Sequence, residues 1–223
     1  MNPHQVTKDF EAALCEYTGA KYAVAVNSCT MALTLVVAWC LRPTVRNDPD
    51  WPGVRPLNPV LPISIPKRTY VSVPMAIIHA GGRPVFRDEE WIGGYQLQPL
   101  KVLDCARWFT SGMYIIREKL DGAGVMMCLS FHASKTLGDT QGGAILHDNI
   151  EADAWFRRAR FDGRAEGVAP KDDKGIMVGY HCYISPDVSA RLLMKLTAAN
   201  FPRHNEPLPN DEYPDLSTLE CFR

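Results

Sequence analysis

The sequence has 223 residues, of which 46% are hydrophobic, so it can form one domain with a packed core and is not typical of a disordered chain. Its formal net charge is −1, with 24 basic and 25 acidic residues, and this balance does not favour binding to nucleic acid or to a membrane surface.

The seven cysteines are scattered, odd in number and contain no C-x-x-C pair. We therefore expect reduced thiols in a cytoplasmic protein, with neither a disulfide framework nor a metal site. No apolar run approaches the length of a membrane span, and the acidic, amphipathic beginning is not typical of a targeting peptide.

The first half of the chain predicts alternating helices and strands. Apolar residues recur at helical spacing from Val6 to Tyr17, and Gly19 ends the pattern. "KYAVAVN" then predicts a strand, and "SCTMALTLVVAWCL" predicts a buried helix capped at Ser28 to Thr30. Residues 42–66 contain seven prolines and predict a loop, with a short strand near Val60 to Ile65.

The second half continues the alternation. "TYVSVPMAIIHAGG" predicts a helix, and strands are predicted at "RPVFRD", "KVLD", "GVMMCLSF" and "GGAILH". Residues Ile150 to Arg160 and Asp187 to Leu196 predict two further helices. The fold class is therefore α/β, with a largely parallel sheet covered by helices on both faces. The end of the chain, rich in Pro, Asn, Asp and Glu, predicts a loosely structured tail.

Polar residues follow three of the predicted strands, where ligands bind in an open α/β sheet. Ser28 to Thr30 open a helix, whose free N–H groups and hydroxyls suit a phosphate. Asp104 ends "KVLD", and Ser130, His132 and Lys135 follow "VMMCL". A phosphate cradle, a strand-end carboxylate and a lysine are the groups that a pyridoxal 5'-phosphate (PLP) enzyme needs.

Each of these residues also has a simpler interpretation. The aspartate could cap a loop, and the lysine could be solvated. The histidine could be an ordinary buried residue, and the serine and threonine could only cap their helix. The pattern alone leaves these alternatives open.

The sequence resembles the DegT/StrS-like sugar aminotransferases of the fold-type-I PLP enzymes. The segments that carry the resemblance, in the family's order, are "FEAALCEYTGAKYAVAVNSCTMAL", "RTYVSVPMAIIHAGGRPVFRD", "VLDCA", "SFHASK" and "GYHCYISPDVSARLLMKL". They match the family's N-S-G-T-x-A-L turn, its aromatic residue after Thr, its E-D-A-A strand end, its S-F-H-x-x-K lysine motif and its G-Y-N-Y-R-M-S helix start.

The resemblance implies a role for each matching residue. Lys135 would form the Schiff base and later move protons, and Asp104 would hold the pyridine nitrogen. Tyr70 would stack on the ring, and His181 would reach the phosphate of the partner subunit in a homodimer with shared active sites. The remaining cofactor-binding residues implied in this way are Ser28, Cys29, Thr30, Arg107, Ser130 and His132.

The sequence also departs from the family pattern. Cys29 replaces a glycine, and Arg107 replaces a cofactor-facing Gln or His. The passage before Asp104 is short, and the Pro-rich stretch from Arg42 to Pro59 is longer than usual. We expect a PLP-binding large domain over residues 1–200 and a short remnant of the small domain over 201–223. An open cofactor face would follow, with the Pro-rich stretch and Arg107 as candidates for replacement substrate contacts.

The resemblance therefore favours a compact PLP-dependent aminotransferase acting on a carbonyl of a sugar or nucleotide-linked substrate. Two alternatives stay open. A decarboxylase or lyase acting on a bulky amino-acid conjugate would use the same lysine and aspartate, and a non-catalytic paralogue would keep only the fold.

Overall fold

The computed structural model describes residues 4–42, 60–210 and 212–222, and they form one α/β layer structure. The strands are β1 (Tyr22–Val26), β2 (Pro62–Pro66), β3 (Arg83–Arg87), β4 (Tyr95–Gln96), β5 (Val102–Asp104), β6 (Met126–Ser130) and β7 (Gly143–His147). The helices are α1 (Gln5–Thr18), α2 (Cys29–Leu41), α3 (Ser72–His79), α4 (Met113–Asp121), α5 (Ile150–Ala159) and α6 (Pro186–Leu196), followed by two short 3-10 helices at Leu216–Thr218 and Glu220–Phe222.

The main sheet has the order β1-β7-β6-β5-β4, and β2 and β3 form a second, parallel pair. Hydrogen bonds between Ser64 of β2 and Gln98, just after β4, connect the two sheets. Following the pairings, β1, β2, β3, β5 and β6 point in one direction, whereas β4 and β7 run against it. The sequence predicts a largely parallel sheet, whereas the main sheet is mixed. Most of the described strands share one direction, but the reversed β4 and β7 make three of its four neighbouring pairs antiparallel.

The core lies on both faces of the sheet, because successive strand residues point to opposite sides. Val24 and Val26 of β1 face a cluster built by α2, α3 and α5. Ala23 and Ala25 face a second cluster, built by α1, α4 and α6. Helices on both faces are the architecture that the strand–helix alternation predicts.

The helix ends follow their local sequence. Gly19 ends α1 with φ 80°, a left-handed conformation that glycine adopts without a steric penalty. The Ser28 side chain accepts a hydrogen bond from the backbone N–H of Met31 and so caps α2. Both ends fall where the sequence predicts them, and the cap fixes the direction in which the first turn of α2 points.

Strand β4 and helix α4 are not among the elements that the sequence predicts. β4 has only two residues, too few for a detectable alternation, and it lies beside β5 in the short passage before Asp104. α4 buries only Met113 and Tyr114, so few core positions mark it in the sequence.

The prediction of a loosely structured tail is wrong for the described residues after 200. Their backbone is irregular, but it is held along its length by hydrogen bonds to the rest of the fold. The backbone N–H of Ser111 donates to Arg203, that of Leu208 donates to Arg107, and that of Leu216 donates to Lys67. We call residues 203–210 and 212–216 the C-terminal strap.

No helix among the described residues is long and apolar enough to cross a membrane. The Pro-rich stretch, residues 43–59, lies outside the described residues.

Candidate active site

A cavity of about 340 Å³ opens beyond the carboxyl ends of β1, β5 and β6, where an α/β sheet places its ligands. Nine of the ten predicted site residues line it: Ser28, Cys29, Thr30, Tyr70, Asp104, Arg107, Ser130, His132 and Lys135. The fold thus brings together residues from three strand ends that are far apart in the sequence.

The first turn of α2 forms one end of the cavity. The Oγ of Ser28 donates to the side chain of Asn27, and the Oγ1 of Thr30 shares a hydrogen bond of 2.7 Å with the Oγ of Ser72. Gly143 of β7 passes so close that a Cβ there would lie 2.5 Å from the backbone N of Cys29. This close approach and the N–H groups at the start of the helix form a concave, positively polarised surface that suits an anion.

Asp104 lies inside the cavity and is only 5% exposed. Its Oδ1 accepts a hydrogen bond of 2.9 Å from the backbone N–H of Ala106, and its Oδ2 accepts one of 2.9 Å from the hydroxyl of Tyr95. Burial raises the pKa of this carboxyl, while the two donors and the charge of Lys135 oppose the increase. A cation placed against this carboxylate would offset the cost of burying its charge.

Lys135 lies in the turn after β6, where its backbone N–H donates to the carbonyl oxygen of His132 over 2.8 Å. The lysine is half-buried and lines the cavity. Its charge also acts on the thiol of Cys29, but burial and the nearby Asp104 raise the pKa of that thiol well above its usual value. Cys29 is therefore a neutral residue of the cavity wall, whereas Lys135 brings a charged side chain to the cavity.

The rim of the cavity is aromatic. Tyr70 is 59% exposed there. Trp91 and Tyr213 face each other nearly in parallel, with ring centroids 6.1 Å apart and 16° between their planes. The indole N–H of Trp91 donates to the carbonyl oxygen of Arg68 over 2.9 Å, which fixes the orientation of the indole.

Arg107 lines the cavity and also holds the C-terminal strap. Its guanidinium donates a hydrogen bond to the carbonyl oxygen of Pro209, while the N–H of Leu208 donates to the carbonyl oxygen of Arg107 over 2.7 Å. The side chain of Asn210 donates to the carbonyl oxygen of Trp91. These contacts carry Tyr213 to the rim, so this side of the cavity is covered rather than open.

His181 is the one predicted site residue that does not line the cavity. Its side chain is 71% exposed, and its Nδ1 lies 2.9 Å from the Oδ1 of Asp162. His181 lies on the surface, away from the cavity of its own chain. It could contact a cofactor only in the cavity of a second chain.

The residues of this site or its support that sequence reasoning missed include Thr69, Ser72, Trp91, Tyr95 and Tyr213. Thr69 and Ser72 lie within two residues of the predicted Tyr70, and this proximity could have predicted that they belong to the site. Trp91 and Tyr95 lie in the short passage before Asp104, where the sequence departs from the family pattern. Tyr213 lies in a tail that is only faintly similar to the family's L-P-x-Y-P-x-L-T segment.

The architecture of the described residues is that of the large domain of fold-type-I PLP enzymes. Comparison with solved structures finds the same fold in the aminotransferase PseC of Helicobacter pylori, involved in pseudoaminic acid biosynthesis, with 20% identity and a TM-score of 0.61. It also finds the sugar aminotransferase CalS13 of Micromonospora echinospora, with 15% identity and a TM-score of 0.63. A third is NtdA of Bacillus subtilis, solved with bound pyridoxamine phosphate (PMP), with 17% identity and a TM-score of 0.60.

The comparison with protein families gives a match over part of the sequence. Residues 3–102 match the DegT/DnrJ/EryC1/StrS aminotransferase family, and the resemblance inferred from the motifs is confirmed. The three structures match 88%, 86% and 86% of this chain, but the chain spans only 58%, 61% and 47% of theirs.

Proposed function

We propose that this protein is a PLP-dependent aminotransferase that transfers an amino group to a carbonyl of a sugar or nucleotide-linked substrate. The observation that carries the proposal is that Asp104, Lys135 and the first turn of α2 all line one cavity of about 340 Å³. The family match over residues 3–102 and the shared fold support it.

The residues present fit the cofactor. The start of α2, with Ser28 and Thr30, offers N–H and hydroxyl groups to a phosphate. Burial raises the pKa of Asp104 despite its two hydrogen-bond donors and the charge of Lys135, and a protonated pyridine nitrogen would add a positive charge against the carboxylate. Lys135 offers its amine to an aldehyde, and exposed Tyr70 offers a ring face at the rim.

PLP, when bound, takes up an amine at its aldehyde carbon and withdraws electrons from a bond to the neighbouring substrate carbon. Asp104 would stabilise the positive charge on the pyridine nitrogen. The Nζ of Lys135 would hold the cofactor and, once displaced by the substrate amine, accept the proton from the substrate carbon. The covered side next to Trp91 and Tyr213 would limit the access of water to that proton.

A PLP-dependent decarboxylase or lyase needs the same lysine and carboxylate, so it is the second candidate. A non-catalytic paralogue would have no reason to retain a buried carboxylate whose ionisation is opposed by burial. The geometry of the cofactor site therefore favours an enzyme, and the family match favours transamination.

We also propose a homodimer in which His181 reaches the phosphate of the partner's site. Its exposed position and its contact with Asp162 leave the imidazole accessible to a second chain. Sedimentation of the PLP-bound protein should show a two-fold dimer, and a monomer that retains PLP would remove His181 from the site.

The function is tested by purifying the protein with PLP. We expect a visible absorbance band and, after borohydride reduction, a permanent phosphopyridoxyl group on Lys135, located by peptide mass spectrometry. Lys135→Ala should lose both signals, whereas Lys174→Ala, a change at an exposed lysine outside the cavity, should retain them. Amino donors should then convert the cofactor to its amine form and release a keto acid. Release of carbon dioxide would favour the second candidate, and a wild-type protein that stays colourless with excess PLP would contradict the proposal.

A further inference from the structure

Tyr95 contacts the proposed cofactor-binding carboxylate but belongs to none of the motifs that carry the family resemblance. We propose that Tyr95 is a positioning residue, whose hydroxyl fixes the Asp104 carboxylate and stabilises its charged form for the pyridine nitrogen of the cofactor. This inference rests on the proposed function, because it assumes that Asp104 binds that nitrogen.

The fold builds this contact with the shortest strand of the sheet. Tyr95 and Asp104 are directly paired residues of β4 and β5, and the hydroxyl of Tyr95 lies 2.9 Å from the Oδ2 of Asp104. The tyrosine is 4% exposed, and the edge of the Trp91 ring packs against it, with ring centroids 4.8 Å apart. The ring therefore has little freedom, and its hydroxyl is held on one carboxylate oxygen.

The direction of the hydrogen bonds follows from the charge of the carboxylate. Ionised Asp104 can only accept, so the Tyr95 hydroxyl donates to it. The Tyr95 oxygen is then left to accept, and its remaining neighbour is the hydroxyl of Thr69, which is 1% exposed. Thr69, Tyr95 and Asp104 thus form a chain of donors that ends on the carboxylate. The backbone N–H of Ala106 donates to the other oxygen, so both oxygens are oriented.

The Tyr95 phenol is suited to this role because it stays protonated. Burial, followed by the charge of Asp104, raises the pKa of the phenol well above its usual value. It remains a neutral donor throughout the range in which Asp104 titrates, and a donor to the ionised form favours ionisation. Without the phenol, burial would act on Asp104 with less opposition.

The other ionisable groups that act on Asp104 come from the neighbouring elements. Cys29 of α2, Cys105 after β5 and Cys128 of β6 have thiol pKa values raised by burial, so all three are neutral. Lys135, in the turn after β6, supplies the positive charge that lowers the pKa of Asp104. Two side chains favour the ionised form of Asp104: the charge of Lys135 and the hydroxyl of Tyr95. Removing the Tyr95 hydroxyl tests this effect without changing the lysine that would bind the cofactor.

The test uses PMP as the probe, because it has the phosphate and the pyridine nitrogen but no aldehyde to react with Lys135. Its dissociation constant is measured by fluorescence from acid to neutral pH for wild type, Asp104→Asn and Tyr95→Phe. In Tyr95→Phe the loss of affinity on the acid side should move to higher pH, with binding about tenfold or more weaker at the wild-type midpoint. Thr69→Val should move the profile in the same direction by less. Tyr114→Phe is the matched control: this hydroxyl is also buried and donates to the carbonyl oxygen of Val125, outside the cavity.

A merely structural role would weaken binding equally at every pH without moving the profile, and that result would overturn the proposal. An unshifted Tyr95→Phe profile would also overturn it, while the function would still stand if wild type binds PMP and Asp104→Asn binds it much more weakly. If Tyr95→Phe does not fold, Thr69→Val decides: a shifted profile supports the chain of donors and an unshifted one contradicts it. Failure of wild type to bind PMP would overturn the function and this inference together.

Discussion

The guanidinium of Arg107 donates a hydrogen bond to the carbonyl oxygen of Pro209, at a point where the C-terminal strap crosses the cavity wall. The expectation that Arg107 supplies a replacement substrate contact has to be modified, because its side chain is 7% exposed and holds the strap. Through this contact and the one between Leu208 and Arg107, the strap places Tyr213 against Trp91. The residue that departs from the family pattern thus links the proposed cofactor site to the wall beside it.

The first prediction concerns the strap. Arg107→Met should keep the buried volume but leave the carbonyl oxygen of Pro209 without its donor, at a cost of about 1–3 kcal/mol. Hydrogen exchange at the Leu208 and Leu216 amides should become faster, while exchange in β6 should stay unchanged. Arg117→Met removes a half-buried ion pair with Asp121 on α4, away from the strap, and is the control. Unchanged exchange in the strap of Arg107→Met would show that other contacts hold it.

The second prediction concerns the phosphate end of the cavity. In Gly143→Ala the new Cβ would meet the backbone of Cys29 and Ser28 at 2.5 and 2.6 Å, so the start of α2 must move away from β7. We expect a stability loss of about 1–3 kcal/mol and at least tenfold weaker PLP binding, because the N–H groups no longer converge. Gly82→Ala is the control, since its Cβ would meet side-chain atoms of Ile63 and Ile77 at 3.0 Å, away from the cavity. Equal loss of PLP affinity in both variants would contradict the assignment of this end to the phosphate.

The third prediction separates stability from function at Asp104. Burial raises the pKa of Asp104 above its unfolded value, so the folded state binds the proton more tightly. The contribution of this group to stability is therefore full at low pH and falls as the pH rises through the folded pKa. Asp104→Asn should melt a few degrees above wild type at neutral pH without cofactor, and the difference should shrink in acid. The same variant should bind PLP weakly, and equal melting temperatures at both pH values would contradict the buried charge.

The parts of the site that were predictable from the sequence lie next to local signals. Ser28 caps a helix directly after a strand, Asp104 ends a short apolar run, and Lys135 follows another, and both runs predict buried strands. Because the carboxyl ends of such strands meet at one edge of a sheet, the sequence predicts that the three positions lie close together.

The rest depends on contacts that carry no local signal. β4 has only two residues, so no periodicity in the sequence predicts it. Tyr95 lies beside Asp104 only because of the register in which β4 pairs with β5. Tyr213 belongs to a segment whose composition resembles a loose tail, and only its contact with Trp91 shows that it joins the cavity wall. Long-range hydrogen bonds such as that from Leu216 to Lys67 give this segment its order, and they leave no pattern in the sequence.

The last prediction concerns His147, which is fully buried at the end of β7, away from the cavity. Burial lowers the pKa of its imidazole from 6.5 to about 4, although the Oδ1 of Asp153, 3.7 Å from its Nε2, favours the charged form. The unfolded chain therefore binds the proton more readily, so this contribution to stability is full above pH 6.5 and is lost as the pH falls towards 4. The loss amounts to about 3 kcal/mol at 1.36 kcal/mol per pH unit. Urea unfolding between pH 7 and 4 should show a shallower decline in His147→Leu than in wild type, whereas the exposed His204→Ala should follow wild type. Parallel declines in His147→Leu and wild type would assign the acid sensitivity to the carboxylates instead.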